Sequence, residues 1–302
     1  MTAVHPLPST WGRFTLGSYY VDAPEPAIVD TGIATTPAEA IAPGLAALGR
    51  RVEDVRWILL THGHVDHVGG AHALWELTGR RARVVVHEAD APFVRARRAH
   101  VDEYVEGRGR YLRDPQGAER LAAMAQTVIS GELEPDVLLR GGETLSLGAG
   151  VTVAVHHVPG HTAGCVTYVV DGTDAIVGDA VEINGGNGFP TYADPSAYRA
   201  SLERLRDLGP ARMYLGHPFV GADGARYDLA LDAAGARRAL RESLDIEARI
   251  AAAFARCEPR ESDSPYSPFA AVAQALGYEG DPSLEPSPFF TTLHAYREGA
   301  RP

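Results

Sequence analysis

Lysine is absent from this chain of 302 residues: all 28 basic residues are arginine. That excludes Schiff-base chemistry through a lysine amine, and a Walker-type phosphate loop, which also needs lysine. Cysteine is scarce. Cys165 and Cys257 are too few for a disulfide framework and suit a reducing compartment. Positive charge is outnumbered as well. A net charge of −11 and a pI near 5.5 leave no concentrated basic face for a phosphate backbone, so nucleic acid is not the expected partner. No apolar run approaches the ~20 residues of a membrane-crossing helix, and Met1–Thr10 has no basic stretch followed by an apolar one. The expectation is a soluble, cytoplasmic protein acting on a small molecule. With 45% hydrophobic residues, the chain can bury a large core, as one elaborate domain or as a domain with an appendage.

What is present is a concentration of metal-ligand types. Residues 61–70 read Thr-His-Gly-His-Val-Asp-His-Val-Gly-Gly, which places His62, His64, Asp66 and His67 within six positions. An apolar run of strand length (55–60) precedes them. Ala71, Leu74, Trp75 and Leu77 follow at helical spacing. The cluster therefore sits in a strand-to-helix loop, where side chains can converge. Imidazole and carboxylate at these offsets match the preferences of borderline and hard metals.

Three further segments end an apolar run in a ligand type: Val155 to His161 through a Pro-Gly turn, Ala175 to Asp179, and Met213 to His217. Together these give five histidines and two aspartates, too many for one tetrahedral ion and about right for two neighbouring ions sharing a carboxylate.

The remaining elements alternate. Strands are predicted over 13–21, 27–30, 55–60, 83–87, 151–158, 166–170, 175–178 and 212–215, and helices over 70–78 and from the Asp194-Pro195 cap to 208. Thr36-Pro-Ala-Glu39 reads as a capping box opening a helix that Pro43 should break or kink. An insertion near 93–131 is helical in composition. Its Arg95, Arg97, Arg98, Arg108, Arg110 and Arg113 either receive an anionic tail or pair with Asp102, Glu103 and Glu106 on a solvated face. From about 225 the character changes. Residues 228–256 form an alanine-rich helix with Leu240, Leu244, Ile246, Ile250 and Phe254 in one stripe. A Pro- and Ser-rich stretch and a final helix over 288–298 follow. The stripe covers either the chain's own core or a homodimer interface. The reading divides the chain into a catalytic domain, 1–224, and a helical C-terminal extension, 225–302. No internal repeat is visible.

The ordered set Val-Asp30-Thr-Gly, H-x-H-x-D-H, Pro-Gly-His161-Thr, Gly-Asp179 and Gly-His217 resembles the metallo-β-lactamase superfamily over the first ~220 residues. The resemblance implies an α/β fold, a four-layered αβ/βα sandwich with the site at one edge of its two sheets. It implies that His62, His64 and His161 hold a first metal, that Asp66, His67 and His217 hold a second, and that Asp179 bridges them. Asp30 would orient ligand histidines by hydrogen bonds. The expected cofactors are two zinc ions, with iron or manganese as alternatives. The expected reaction is hydrolysis of a small ester, thioester or lactone by a metal-bridging hydroxide, with Asp66 moving the proton. A mononuclear-iron persulfide dioxygenase and a phosphodiesterase are the alternatives.

Asp179 stands where the best-known exported β-lactamases carry Cys, which points instead to members like glyoxalase II, lactonases and thioesterases. Glu182 stands where acyl-homoserine lactonases often carry Tyr, which weakens the lactonase reading. The loop Ile183-Asn-Gly-Gly-Asn-Gly-Phe189 is expected to border the substrate, with Asn184, Asn187 and Phe189 as contacts. Among the other histidines, one of His156 and His157 should face the core. His72 and His87 read as packed or solvated, and His5 and His100 lack context. His294 lies in a final helix that some members bring near the pocket.

Overall fold

The computed structural model describes residues 2–105, 116–185, 188–281 and 287–299. Its strands are β1 (Ala3–Trp11), β2 (Phe14–Asp22), β3 (Ala27–Val29), β4 (Trp57–Leu59), β5 (Arg83–His87), β6 (Val137–Leu139), β7 (Thr144–Ser146), β8 (Thr152–His157), β9 (Val166–Val170), β10 (Asp174–Gly178), β11 (Arg212–Leu215) and β12 (Ala230–Asp232). Its α-helices are α1 (Ala42–Ala47), α2 (Val65–Val68), α3 (Ala71–Leu77), α4 (Ala91–Arg95), α5 (Arg97–Glu103), α6 (Gly117–Val128), α7 (Pro195–Leu208), α8 (Ala233–Arg256), α9 (Ala270–Leu276) and α10 (Pro288–Gly299). None is long and apolar enough to cross a membrane among the described residues.

Strands β1 to β6 form one six-stranded sheet in sequential order, and β7 to β12 form a second in the same manner. Both are mixed. In the first, β3 to β6 run parallel; in the second, β10 and β11 are the parallel pair. The matching halves carry no repeat that the eye finds in the sequence.

Alternation along the strands explains the layers. Ala27, Val29, Leu59 and Val85 point inward to meet Val155, Tyr168, Val170 and Ile176 of the second sheet. Ile28, Ile58, Val84 and Val86 point the other way, against Leu45 of α1, Leu74 of α3 and Val94 of α4. On the far side, Val169, Val177 and Met213 pack against α7, α8, α9 and α10. The order is helices, sheet, sheet, helices, the four-layered sandwich that the resemblance implies. The α8 stripe is spent here: Leu240 and Ile250 lie inside that outer core, with Leu244, Ile246 and Phe254 packed against it.

Several local expectations are corrected. β1 was not foreseen because Pro6 and Pro8 interrupt its pattern; it is an edge strand, where a missing N–H is tolerated. Thr36 makes no capping box. Its backbone is already helical, and its Oγ1 accepts the Ile33 N–H instead of one within the helix. Pro43 falls in the first turn of α1, at the point where a wide π-helical turn over Pro37–Ile41 gives way to regular α-helix, so the helix changes its winding at the proline. The insertion is broken into α4, α5 and α6. Arg95 pairs with Glu134 and Arg98 with Asp102 on the exposed surface, so these two follow the salt-bridged reading. Arg108, Arg110, Arg113 and Glu106 lie outside the described residues. The last third also holds β12 and α9 in segments read as helix and irregular chain.

Candidate metal centre

Every side chain of the cluster is delivered by a chain segment leaving a strand. Asp30 follows β3; His62 and His64 follow β4, and α2 then presents Asp66 and His67. His161 sits in the β8–β9 connection, Asp179 follows β10, and His217 follows β11. Most of these are carboxyl ends of parallel strands, where open α/β sheets place their sites. The loops can close on one another because glycine leaves room. A Cβ on Gly216 would run into Asp179 Oδ1, and one on Gly178 would run into Thr61.

The seven predicted ligand residues converge. His62, His64 and His161 form one group whose ligand atoms lie within 4.8 Å of one another. His62, His67 and Asp179 form a second group, and Asp66, His67 and His217 a third. His64 Nδ1 lies 2.8 Å from His161 Nε2. Asp179 lies centrally, with Oδ1 3.6 Å from His67 Nε2 and Oδ2 3.6 Å from His161 Nε2 and 3.4 Å from His217 Nε2. His217 Nε2 is also 3.3 Å from Asp66 Oδ2.

The backs of the histidines are held, which aims the other nitrogen of each ring. Asp30 accepts from His67 Nδ1 at 2.8 Å and also from the Thr61 N–H and hydroxyl, each at 2.8 Å. His161 Nδ1 donates to Thr191 O at 3.0 Å, and His217 Nδ1 to Thr15 O at 2.9 Å. The Nε2 atoms of His62 and His67, and Asp179 Oδ1, are buried without a hydrogen-bond partner. Leaving such atoms unpaired costs ~1–3 kcal/mol each. Two imidazole nitrogens and a carboxylate oxygen, left bare and mutually aimed, fit a cation.

The electrostatics agree with that fit. Burial, reinforced by His67 and His161, holds the His62 ring well below the usual imidazole value, in the neutral form that binds metal. Burial also pulls His67 down, but Asp179, Asp30 and Asp66 outweigh it and push the ring up to about 9. For Asp179, burial favours the neutral acid, yet His217 and His67 drive it well below the carboxylate range. The carboxylates make this a place that attracts positive charge.

The centre opens into a cavity of about 450 Å³ reached by His64, Asp66, His161, Asp179 and His217. Asn184 lines it, with its amide donating to Val220 O at 3.0 Å. Phe189 does not. Its ring turns into the outer core against Tyr278 and Phe289, a correction that follows from its apolar character. Asn187 lies outside the described residues. His294 packs edge-on to Phe269 and is absent from the cavity lining, whereas His100 is part of it. His156 and His157 are both half-buried; His157 stacks on His87 at 4.2 Å.

Two residues of the site escaped the sequence reading. Asp90 accepts from Gly63 N–H at 2.8 Å, Gly164 N–H at 2.9 Å and the Thr162 hydroxyl at 2.7 Å, tying together the loops that carry His64 and His161. It follows β5 as Asp30 follows β3, and that strand-end position was the available signal. Glu182, noted only for replacing Tyr, is buried with Oε2 3.2 Å from His161 Nδ1 and 2.8 Å from the Thr191 N–H.

Comparison with known proteins agrees with this geometry. The family described as the Metallo-beta-lactamase superfamily matches residues 18–217. A protein of Burkholderia pseudomallei described as a probable metallo-hydrolase is 30% identical over 200 residues, which span 61% of this chain and 58% of that protein. A hydroxyacylglutathione hydrolase of Acidiphilium cryptum is 30% identical over 228 residues, covering 75% of this chain and 73% of its own. The crystal structure of a metallo-beta-lactamase family protein from Thermus thermophilus superposes with a TM-score of 0.68 at 27% identity, covering 99% of this chain and 94% of that one.

Proposed function

Because the chain belongs to the metallo-β-lactamase superfamily, we propose that it is a dinuclear zinc hydrolase that opens a small ester, thioester or lactone. The observation that carries this is the trio of bare, buried ligand atoms, His62 Nε2, His67 Nε2 and Asp179 Oδ1, set among four further ligand residues. His62, His64 and His161 would hold one ion, and Asp66, His67 and His217 the other, with Asp179 shared. Nitrogen and carboxylate donors of this kind suit zinc. The ions, when bound, supply Lewis acidity that makes water nucleophilic near neutral pH and polarises the carbonyl under attack.

The chain's own residues do the rest. Asp30, Thr191 and Thr15 fix the ring orientations through hydrogen bonds to the far nitrogens. Asp66, at the cavity, takes the proton from the attacking water and passes it to the leaving group. Neither cysteine lines the cavity. Cys165 is buried, and that burial pushes its thiol well above the usual range.

The test is a panel of thioesters, lactones, aryl esters and nitrocefin, assayed after zinc loading and again after chelation, with metal content measured in parallel. Chelator-sensitive cleavage of an acyl compound with about two zinc ions per chain is expected. About one iron per chain, with oxygen uptake on glutathione persulfide, would overturn the reading in favour of a dioxygenase. Cleavage of bis-p-nitrophenyl phosphate alone would overturn it in favour of a phosphodiesterase.

A further inference from the structure

The cavity over the histidine and aspartate cluster is lined in part by charged groups, Arg13, Glu103 and Arg226 among them, and in part by a run of apolar side chains. One wall starts inside the histidine loop. Val65, between His64 and Asp66, packs with Trp11 and Met124 against the small core of Ala125, Val128 and Ile129. All three reach the cavity, and Leu121 of α6 extends the same wall. A second wall starts two residues after His217, where Phe219 sets its ring edge-on to the imidazole at 5.6 Å.

Phe219 is itself buried in the outer core, but the side chains of the first wall are not closed off. Trp11, Val65, Leu121 and Met124 all stay partly exposed, and Phe14, at the tip of the β1–β2 hairpin, is 36% exposed at the same cavity. Large apolar groups left open around one concave site mark an apolar ligand. Methionine adapts to such a ligand's shape.

The geometry points to an acyl substrate whose acyl part is a medium-length alkyl or aryl group. That group lies along Val65, Trp11, Met124 and Phe219, with the scissile carbonyl at the histidine cluster. This names the substrate class of the same site and rests on the hydrolase reading above. Hydrolysis adds water across the acyl bond, releasing the carboxylic acid and the alcohol or thiol; no other reactant is needed.

The zinc-loaded full chain is assayed with p-nitrophenyl esters and N-acetylcysteamine thioesters of acetyl, butyryl, hexanoyl and octanoyl groups. The kcat/KM should rise about fourfold per added methylene, as burial of a CH₂ group requires, and the rise should sit mainly in KM. Trp11→Ala and Met124→Ala should collapse the hexanoyl-to-acetyl ratio of kcat/KM by tenfold or more, and Met124→Leu should restore it. Binding is read independently of turnover: octanoate should change tryptophan fluorescence where acetate does not, and Trp11→Phe should abolish the change.

Turnover of every ester with a flat chain-length dependence overturns the apolar-acyl inference and leaves the hydrolase reading standing. So does a Trp11→Ala enzyme with the wild-type ratio. Failure of the zinc-loaded chain to cleave any ester or thioester, with octanoate still bound at Trp11, instead sinks the hydrolase reading and keeps the apolar subsite.

Discussion

The carboxylate of Asp90 accepts the Thr162 hydroxyl at 2.7 Å and the Gly63 N–H at 2.8 Å, so this one side chain joins the turn that carries His161 to the loop that carries His62 and His64. The Gly164 N–H ends on the same carboxylate. Three donors from two loops thus converge on one side chain that is itself buried, and burial raises its pKa despite those bonds. Asp90→Ala leaves the donors unpaired, at ~1–3 kcal/mol each. The expected outcome is a loss of about 3 kcal/mol or more in urea unfolding. Zinc affinity should fall by about 10–100-fold, the range typical for residues that orient metal ligands. Chelator competition measures the second effect separately from the first.

His64 stands differently, because it offers a nitrogen to the site itself, 2.8 Å from that of His161. His64→Ala is expected to lose metal and at least ~10²-fold activity, as for removal of a group stabilising the transition-state oxyanion. Metal content of the purified variant, compared with wild type stripped by chelator and reloaded, checks this. Full metal content with full activity in the variant would contradict the assignment of a first ion to His62, His64 and His161.

The cluster of side chains that converges in the fold was legible because it is written in short spacings at strand ends: His62 to His67 in one loop, and His161, Asp179 and His217 each after an apolar run. Asp30 was legible only through the resemblance. Asp90 and Glu182 were not, since one carboxylate among ordinary neighbours carries no pattern until folding brings Gly63, Thr162 and His161 beside it. Strands that read as apolar runs were found, β3 and β4 among them, while the nine-residue β1 was hidden by Pro6 and Pro8, and β6, β7 and β12, each three residues long, give too few positions for a period to show. Phe189 misled because its glycine-rich neighbours suggest an open loop; its ring is instead anchored by Tyr278 and Phe289, some ninety and a hundred residues away. Contacts of that range have no local signature.

A pH effect on stability follows from the stacked rings of His87 and His157, whose centroids are 4.2 Å apart. Burial first, and the neighbouring His157 second, lower the His87 pKa from its ordinary 6.5. The unfolded chain therefore binds this proton more readily than the folded one. The contribution is fully present above the unfolded pKa, is lost as pH falls below about 6.5, and stays lost once pH is under the folded value. In His87→Phe, which keeps a ring against His157, this loss should vanish. Urea unfolding of both proteins between pH 5 and pH 8 tests the sign: the wild type should decline more steeply than the variant towards pH 5.

Thr292 on α10 links the C-terminal helices to the metal cluster. Its hydroxyl donates to Pro190 O and accepts from the Tyr192 N–H, each at 2.8 Å, bracketing Thr191. The Thr191 carbonyl in turn receives His161 Nδ1 at 3.0 Å, and its N–H meets Glu182 at 2.8 Å. Thr292→Val keeps the shape and removes both bonds, leaving the Tyr192 N–H and the Pro190 carbonyl unpaired in a buried place. A stability loss of about 2 kcal/mol is expected from that alone. If the hydroxyl also positions His161, zinc affinity measured well below the unfolding transition should drop too, and Thr292→Ser should restore it while leaving the lost methyl unfilled. A valine variant that is less stable but binds zinc as tightly as wild type would confine Thr292 to holding the outer layer together, with His161 aimed by Thr191 and Glu182 without help from the C-terminal helix.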